Sequence, residues 1–304
     1  VDLSLSIAVT TYNRWASCEE TLSSLVVQRV RLLEVIVVDD CSFEEIPIPL
    51  VRFCKARSID YVRHEHNKGL AAARNTAISM AHGKYFSFCD DDDRWPPGLA
   101  FRLVEALESA PKDVGMAIAL REERKEHCAH LFNGYPRLTE LMKQGLTPPV
   151  GSQIYRTELL RKVGGYRPQV TSGVDHDLWI SLARIDPKVA VAWGEPAIVG
   201  SSPSRDRMTT VEGRRRAGIE NSLEIWRADL CDVFGEGFYE HFVMSYRRYL
   251  DYKFFIQSIQ RREFADTVKR MIMAPWLPFA LVKQLGRRLL GRRVCTLFPK
   301  YKGD

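Results

Sequence analysis

The first 120 residues of this 304-residue chain alternate short apolar runs of β-type residues with amphipathic stretches, and this alternation constrains the fold more than any other feature. Leu3 to Thr10, Val35 to Val38, Tyr61 to Arg63, Tyr85 to Cys89 and Val114 to Ala119 are predicted strands. Between them, Cys18 to Val27, Pro49 to Arg57, Leu70 to Ala81 and Leu99 to Ser109 carry helical periodicity. Near-continuous apolar strands joined by helices predict an α/β chain, a mostly parallel, Rossmann-like sheet covered by helices. Ligands of such sheets bind beyond the carboxyl ends of the strands.

Those ends are polar in an unusual way. They read Thr10-Thr11-Tyr12-Asn13-Arg14, then Asp39-Asp40-Cys41-Ser42, then His64-Glu65-His66-Asn67-Lys68-Gly69, then Asp90-Asp91-Asp92-Asp93. An aromatic ring, carboxylates, a basic loop and an acidic loop gathered on one sheet edge suit a nucleotide diphosphate. Four consecutive aspartates repel one another unless something neutralises them. Hard oxygen ligands at a strand end suit Mg²⁺ or Mn²⁺, which keeps waters and bridges to phosphates. Asp90 and Asp92, two apart on an extended segment, point the same way. Opening a helix near Pro96-Pro97 is the competing use of Asp92 and Asp93; it accounts for one or two of the four.

Val9 to Arg14, Val37 to Ser42, Asn67 to Asn75 and Phe88 to Trp95 resemble, in order and spacing, the family-2 inverting glycosyltransferases of GT-A fold. The resemblance continues through Gly164-Gly165-Tyr166 and Val174-Asp175-His176-Asp177-Leu178-Trp179, covering residues 4 to 195. It implies that Thr10, Tyr12 and Asp40 hold the base, with Tyr12 stacked on it, and that Arg74 lies near the diphosphate. Arg14, Lys68, Gly69, Asp90 and Asp91 complete the implied donor-contacting set. Asp90 and Asp92 form the D-x-D element that takes Mn²⁺ or Mg²⁺. Asp175 is the implied general base, with Val174 where the family commonly has Glu. His176, Asp177 and Trp179 are candidates on the acceptor side. Asp175 and Asp177 lie about 200° apart on a helix, so only one of them faces the cleft.

Residues 1–120 are thus expected to form a nucleotide-sugar half, 121–205 an acceptor half of the same catalytic domain, and 206–304 a helical basic extension. Charge supports the last division. Residues 241–304 hold 14 Lys and Arg against 4 Asp and Glu, a net +10, which leaves 30 against 34, a net −4, for residues 1–240. Within 269–304, Lys269-Arg270, Lys283, Arg287-Arg288 and Arg292-Arg293 alternate with large apolar residues and Trp276. That pattern predicts an interfacial segment on an anionic membrane. A helix packed on the catalytic domain is the alternative; nucleic acid is not expected, because no recognition motif accompanies the charge.

Seven scattered cysteines without a C-x-x-C pair fit a reducing compartment. No apolar run reaches the length of a membrane span, and Val1-Asp2-Leu3-Ser4 lacks the features of a secretory signal. The function expected is metal-dependent, inverting transfer of a sugar from a nucleotide diphosphate, UDP- or dTDP-type, to a hydroxyl of a glycan or lipid-linked acceptor. Its place is surface-polysaccharide synthesis at the cytoplasmic face of the membrane. Two rivals stay open: a sugar nucleotidyltransferase, which calls for a Gly-rich phosphate loop where Thr10 to Asn13 has no glycine, and a non-catalytic membrane- or polyanion-binding module with a vestigial nucleotide site.

Overall fold

In the computed structural model, residues 4–28, 32–200, 211–278 and 280 are described. Seven strands form one sheet in the order β3-β2-β1-β4-β6-β5-β7. They are β1 (Ser4–Thr11), β2 (Leu32–Asp39), β3 (Asp60–Arg63), β4 (Tyr85–Asp90), β5 (Val114–Leu120), β6 (Gln153–Arg156) and β7 (Lys188–Trp193). The first five fall where apolar patterning predicts them. β6 and β7 have no counterpart among the sequence expectations. β6 runs antiparallel to both β4 and β5, while every other pairing is parallel.

Helices follow the strands: α1 (Trp15–Val26), α2 (Ile48–Ala56), α3 (Leu70–Met80), α4 (Leu99–Glu108), α5 (Lys125–Cys128), α6 (Leu138–Lys143), α7 (Thr157–Val163) and α8 (Val174–Ala183). Alternation along the strands sends their side chains to two cores. Leu5, Ile7, Val9, Val35 and Val37 pack with Leu22, Leu50, Leu103 and Leu107 on the side of α1, α2 and α4. Ala8, Ile36, Val38, Phe86 and Phe88 pack on the side of α3 and α8. Register brings the strand ends level, with Thr11 opposite Asp39, Thr10 opposite Asp90 and Asp39 opposite Arg63. The four polar clusters therefore share one sheet edge.

Three further helices, α9 (Glu212–Phe234), α10 (Glu236–Gln260) and α11 (Phe264–Met273), complete the described chain. Pairing of Leu223 with Tyr239, Glu220 with Arg247 and Arg216 with Asp251 shows that α9 and α10 run antiparallel. Their Ile219, Leu223, Trp226, Phe242 and Tyr246 join the same core as α8. The basic extension is thus continuous with the sheet's own core at this end. α11 ends at Met273, ahead of Pro275 and Pro278. Residues 281–304, which carry most of the expected membrane-directed cations, lie outside the described residues. Among the described residues, no helix is long and apolar enough to cross a membrane.

Candidate active site

The acidic loop leaves β4 and divides its four carboxylates between two directions. Asp91 is fully buried and accepts hydrogen bonds from Thr11 Oγ1 at 2.8 Å and Arg14 Nε at 3.0 Å. Arg14 also pairs through Nη2 with the other Asp91 oxygen, and its Nη1 lies 3.6 Å from Asp92. Asp93 is buried too, and its Oδ1 accepts from the Gly200 amide at 3.0 Å. Burial raises the Asp91 carboxyl to about 6, with Arg14 and Thr11 opposing. Burial and the Asp90 charge push Asp93 up to about 7. Asp91 and Arg14 were expected to touch the donor. In the structure the Asp91 carboxylate is held inside the protein by Arg14 and Thr11. Helix capping does not explain the run either, because Gly98 stands at the α4 N-terminus with no side-chain cap.

Asp90 faces the other core. Its side chain is 35% exposed, and its Oδ1 accepts from Arg74 Nη2 at 2.9 Å. Arg74 is 1% exposed, on α3, with its guanidinium 5.4 Å from the Phe88 ring centre and 5.2 Å from that of Tyr166. Its Nη1 donates to Asp175 Oδ1 at 2.6 Å. One buried cation therefore bridges the strand-end carboxylate to the carboxylate on α8. Arg74, which the resemblance implies lies near the diphosphate, is held by two rings and two carboxylates. Asp175 itself is 57% exposed along its side chain. Surrounding protein atoms disfavour its charge, but Arg74 overrides them and holds its carboxyl below the usual range.

The neighbours of Asp175 point inward. Asp177 is fully buried and accepts from the Arg167 amide at 2.7 Å, Arg167 Nε at 2.6 Å and Trp226 Nε1 at 2.8 Å. His176 is buried among Trp226, Phe242 and Tyr246, which pushes its imidazole down to about 4, against the pull of Asp175. Trp179 is buried and donates to Gln153 Oε1 at 2.6 Å. All three of these acceptor-side candidates are buried in this structure. Helical periodicity is the reason: positions 176, 177 and 179 fall on the faces of α8 covered by the sheet and by α9.

On the donor side, Thr10 is buried at the end of β1, and Tyr12 beyond it stands 37% exposed. Asn13 takes a positive φ, donates its amide to Ser42 Oγ at 2.8 Å and accepts from the Phe43 amide at 2.7 Å. This clasp sets the rings of Tyr12 and Phe43 5.8 Å apart, and Phe43 is 85% exposed. Phe43 was not a sequence candidate; its signal is a large apolar side chain directly after a strand-end cluster. Asp40 is buried and organises the basic loop, accepting from His64 Nδ1 and the Lys68 amide at 2.8 Å and from the Gly69 amide at 2.7 Å. Gly69, with φ +87° at the start of α3, has the backbone that a side chain would strain. The Lys68 side chain is exposed. A cavity of about 1100 Å³ adjoins the acidic loop, lined by Arg14, Phe43, Glu44, Asp92, Arg94 and Gly200 among others. It lies on the α1 side of the loop, away from Asp175.

Among the described residues, no group of three or more His, Cys, Asp or Glu side chains is placed to hold a metal. The chemistry of the donor set offered by Asp90 and Asp92 fits an ion that takes few protein carboxylates and completes its shell with water and phosphate, the habit of Mg²⁺ and Mn²⁺.

A family model described as glycosyl transferase family 2 matches residues 6–164, just over half of the chain. A Bacillus subtilis relative, described as the putative teichuronic acid biosynthesis glycosyltransferase TuaG, is 31% identical over 145 residues, 47% of this chain and 50% of that one. The chain spans about half the length of such curated relatives. Among solved structures, S. aureus TarS 1–349 in complex with UDP-GlcNAc superposes with a TM-score of 0.60 at 17% identity, over 89% of this chain and 73% of that one. The mannosyltransferase PcManGT from Pyrobaculum calidifontis, in complex with GDP-Man and Mn²⁺, gives 0.57 at 18% identity, over 95% and 88%. At such identities the likeness shows the fold, which is GT-A. With that fold, the strand-end motifs in order and the family model matched across most of its sheet, the chain belongs to glycosyl transferase family 2.

Proposed function

We propose that the protein transfers a sugar, with inversion, from a nucleotide diphosphate to a hydroxyl of a glycan or lipid-linked acceptor in surface-polysaccharide synthesis. The observation that carries this reading is the Arg74 bridge, which sets a donor-side carboxylate, Asp90, and an exposed acceptor-side carboxylate, Asp175, on one guanidinium. Tyr12 and Phe43 offer the base a pair of aromatic faces. A UDP-type donor is the choice, in keeping with the UDP-GlcNAc complex of the similar TarS fold.

Asp175 acts as general base. It accepts the acceptor hydroxyl's proton while that oxygen bonds to the anomeric carbon and the bond from that carbon to the diphosphate oxygen breaks, its electron pair leaving with the nucleotide. Arg74 keeps Asp175 ionised and aimed, and so holds the proton acceptor ready at neutral pH. Asp90 and Asp92 would hold Mn²⁺ or Mg²⁺, whose positive charge offsets the charge growing on the departing diphosphate. Arg14 and Thr11, by fixing Asp91, hold the backbone that presents those two carboxylates.

We place the enzyme at the cytoplasmic face of an anionic membrane. Phe264, Val268, Met271 and Ile272 line one exposed face of α11, while Arg270 on another side pairs with Glu212 and Asp266. An apolar stripe held outward next to Lys269, in a sequence that continues into the cations of 283–293, suits a lipid interface.

The catalytic test is release of nucleoside diphosphate from UDP-GlcNAc, UDP-Glc and GDP-Man, with and without Mn²⁺. Turnover is expected only with metal, and is expected to vanish in Asp175→Asn and in Asp92→Ala. Full activity in both variants would overturn the mechanism. Removal of residues 264–304 is expected to abolish sedimentation with phosphatidylserine-containing vesicles; unchanged pelleting would refute the membrane assignment.

A further inference from the structure

The loop that carries the candidate base is gripped from outside the sheet by the helical extension. Ser222 Oγ on α9 donates to the Ser172 carbonyl at 2.7 Å, and Asn221 Nδ2 donates to the Gln169 carbonyl at 3.3 Å. Gly173, at φ +74°, opens α8, and a Cβ there would lie 2.8 Å from Trp226 and 3.1 Å from the Tyr246 hydroxyl. The extension therefore closes over this turn so tightly that only glycine fits, both for its backbone angle and for its space. Trp226 then donates its indole N–H to Asp177, the buried carboxylate two residues after the base. Arg167 binds the same carboxylate and reaches on to Asp229 of α9 at 2.7 Å.

We propose that Trp226, acting through Asp177, is a positioning residue: the C-terminal helical extension sets the aim of Asp175, and the transfer site is incomplete without it. The proposal rests on Asp175 being the base. Asp175 is held at two points, by Arg74 through its own carboxylate and by Trp226 through the first turn of α8. The first point keeps it ionised and the second orients the helix it stands on. Three carboxylates on or against α8 are thereby each given partners: Asp175 has Arg74, Asp177 has Trp226 and Arg167, and Asp229 has Arg167 and Arg184. A packing role alone would have been met by any large apolar side chain at 226. An indole aimed at a buried carboxylate defines a direction as well as a volume.

The test measures nucleoside diphosphate release from whichever of UDP-GlcNAc, UDP-Glc or GDP-Man the protein turns over, in the full chain. Trp226→Phe removes the N–H and keeps most of the ring. It is expected to lower kcat by about tenfold while leaving donor KM within about twofold, since a small misalignment of a reacting group costs rate rather than donor binding. Ser222→Ala, which leaves the core intact, is expected to lower kcat in the same direction by a smaller factor, and serves if Trp226→Phe does not fold. Phe254→Leu is the stability control, because Phe254 is buried two turns along α10 from Tyr246, with its ring against the Arg216 guanidinium at 5.6 Å; it is expected to lower Tm with kcat unchanged. If Trp226 acts through Asp177, then Trp226→Phe combined with Asp177→Asn loses no more kcat than Asp177→Asn alone. Multiplicative losses in the double variant, or a kcat for Trp226→Phe and Ser222→Ala equal to that of the control, would overturn the proposal. Asp175→Asn run in parallel separates the two readings. Full turnover in that variant removes the base assignment and the positioning role with it, whereas an inactive Asp175→Asn beside a fully active Trp226→Phe removes the positioning role alone.

Discussion

Replacing Arg74 by lysine keeps one positive charge in the same buried channel but takes away the fork that reaches two carboxylates at once. Lysine is a single point charge and cannot donate in two fixed directions. In the structure the two bonds measure 2.6 Å to Asp175 and 2.9 Å to Asp90. A hydrogen bond to a charged group contributes about 1.5–3 kcal/mol when both partners are buried. Asp175 is more than half exposed, so water recovers much of that loss and about 1 kcal/mol remains. Loss of the planar face between Phe88 and Tyr166 adds about 0.5–1 kcal/mol. The sum is about 2 kcal/mol, or about 3 °C in Tm for a chain of this size. Turnover suffers more than stability, because a base displaced by about 1 Å can lose about a hundredfold in rate. The assay pairs calorimetry with the pH 7 rate of nucleoside diphosphate release. A lysine variant whose Tm lies within about 1 °C of the parent and whose kcat lies within about twofold would refute the bridge as the organising contact.

Other outcomes follow from the same geometry. Asp91 and Asp93 have folded pKa values raised to about 6 and about 7, above the unfolded carboxylate value of about 4. Between those limits the folded form keeps protons that the unfolded form has released; His176, lowered to about 4 in the fold, acts in the opposite sense but is one group against two, so metal-free protein is expected to show a net loss of stability as pH rises from about 4 to about 7 and to level off above. Urea titrations across that range check the sign, and Mn²⁺ is expected to recover part of the loss at neutral pH. Phe43→Ala is expected to raise donor KM by up to about tenfold with little change in Tm, since the ring is exposed and offers about 0.5–1.5 kcal/mol of aromatic contact; an unchanged KM would exclude Phe43 from the base site. Gly173→Ala is expected to lower both Tm and kcat, because its added methyl meets Trp226 at 2.8 Å; normal values for both would show that the turn yields freely.

The parallel half of the sheet is legible in the chain because β1, β2, β4 and β5 are runs of residues buried on both faces, a pattern few other structures produce. β6 is only four residues long, follows Pro148-Pro149 and owes its place to β4 and β5 on either side, so no local pattern announces it. At the site, Asp90, Arg74 and Asp175 are each singled out in the sequence with the help of the family resemblance, and only the structure joins them through one guanidinium. Which way a carboxylate points is another matter. Asp91 turns into the protein because Thr11 and Arg14 wait there, and Asp177 does so because Arg167 and Trp226 do. Those partners lie 77 to 80 residues away for Asp91 and 10 to 49 for Asp177, beyond the reach of any spacing rule. Phe43 lay hidden for the opposite reason: a single exposed ring after a strand has no periodicity to betray it.

The grip of α9 and α10 on the turn at Gly173 also orders events during synthesis. Strands β1 to β4 and their helices come from residues 4–90 and are joined by crossovers close in sequence, so the nucleotide-facing half can collapse as soon as that length has left the ribosome. The turn that presents Asp175 waits for Trp226 and Tyr246, translated 51 and 71 residues after the base. On the proposed reading, the donor-facing half is thus complete before the turn that presents Asp175 is held.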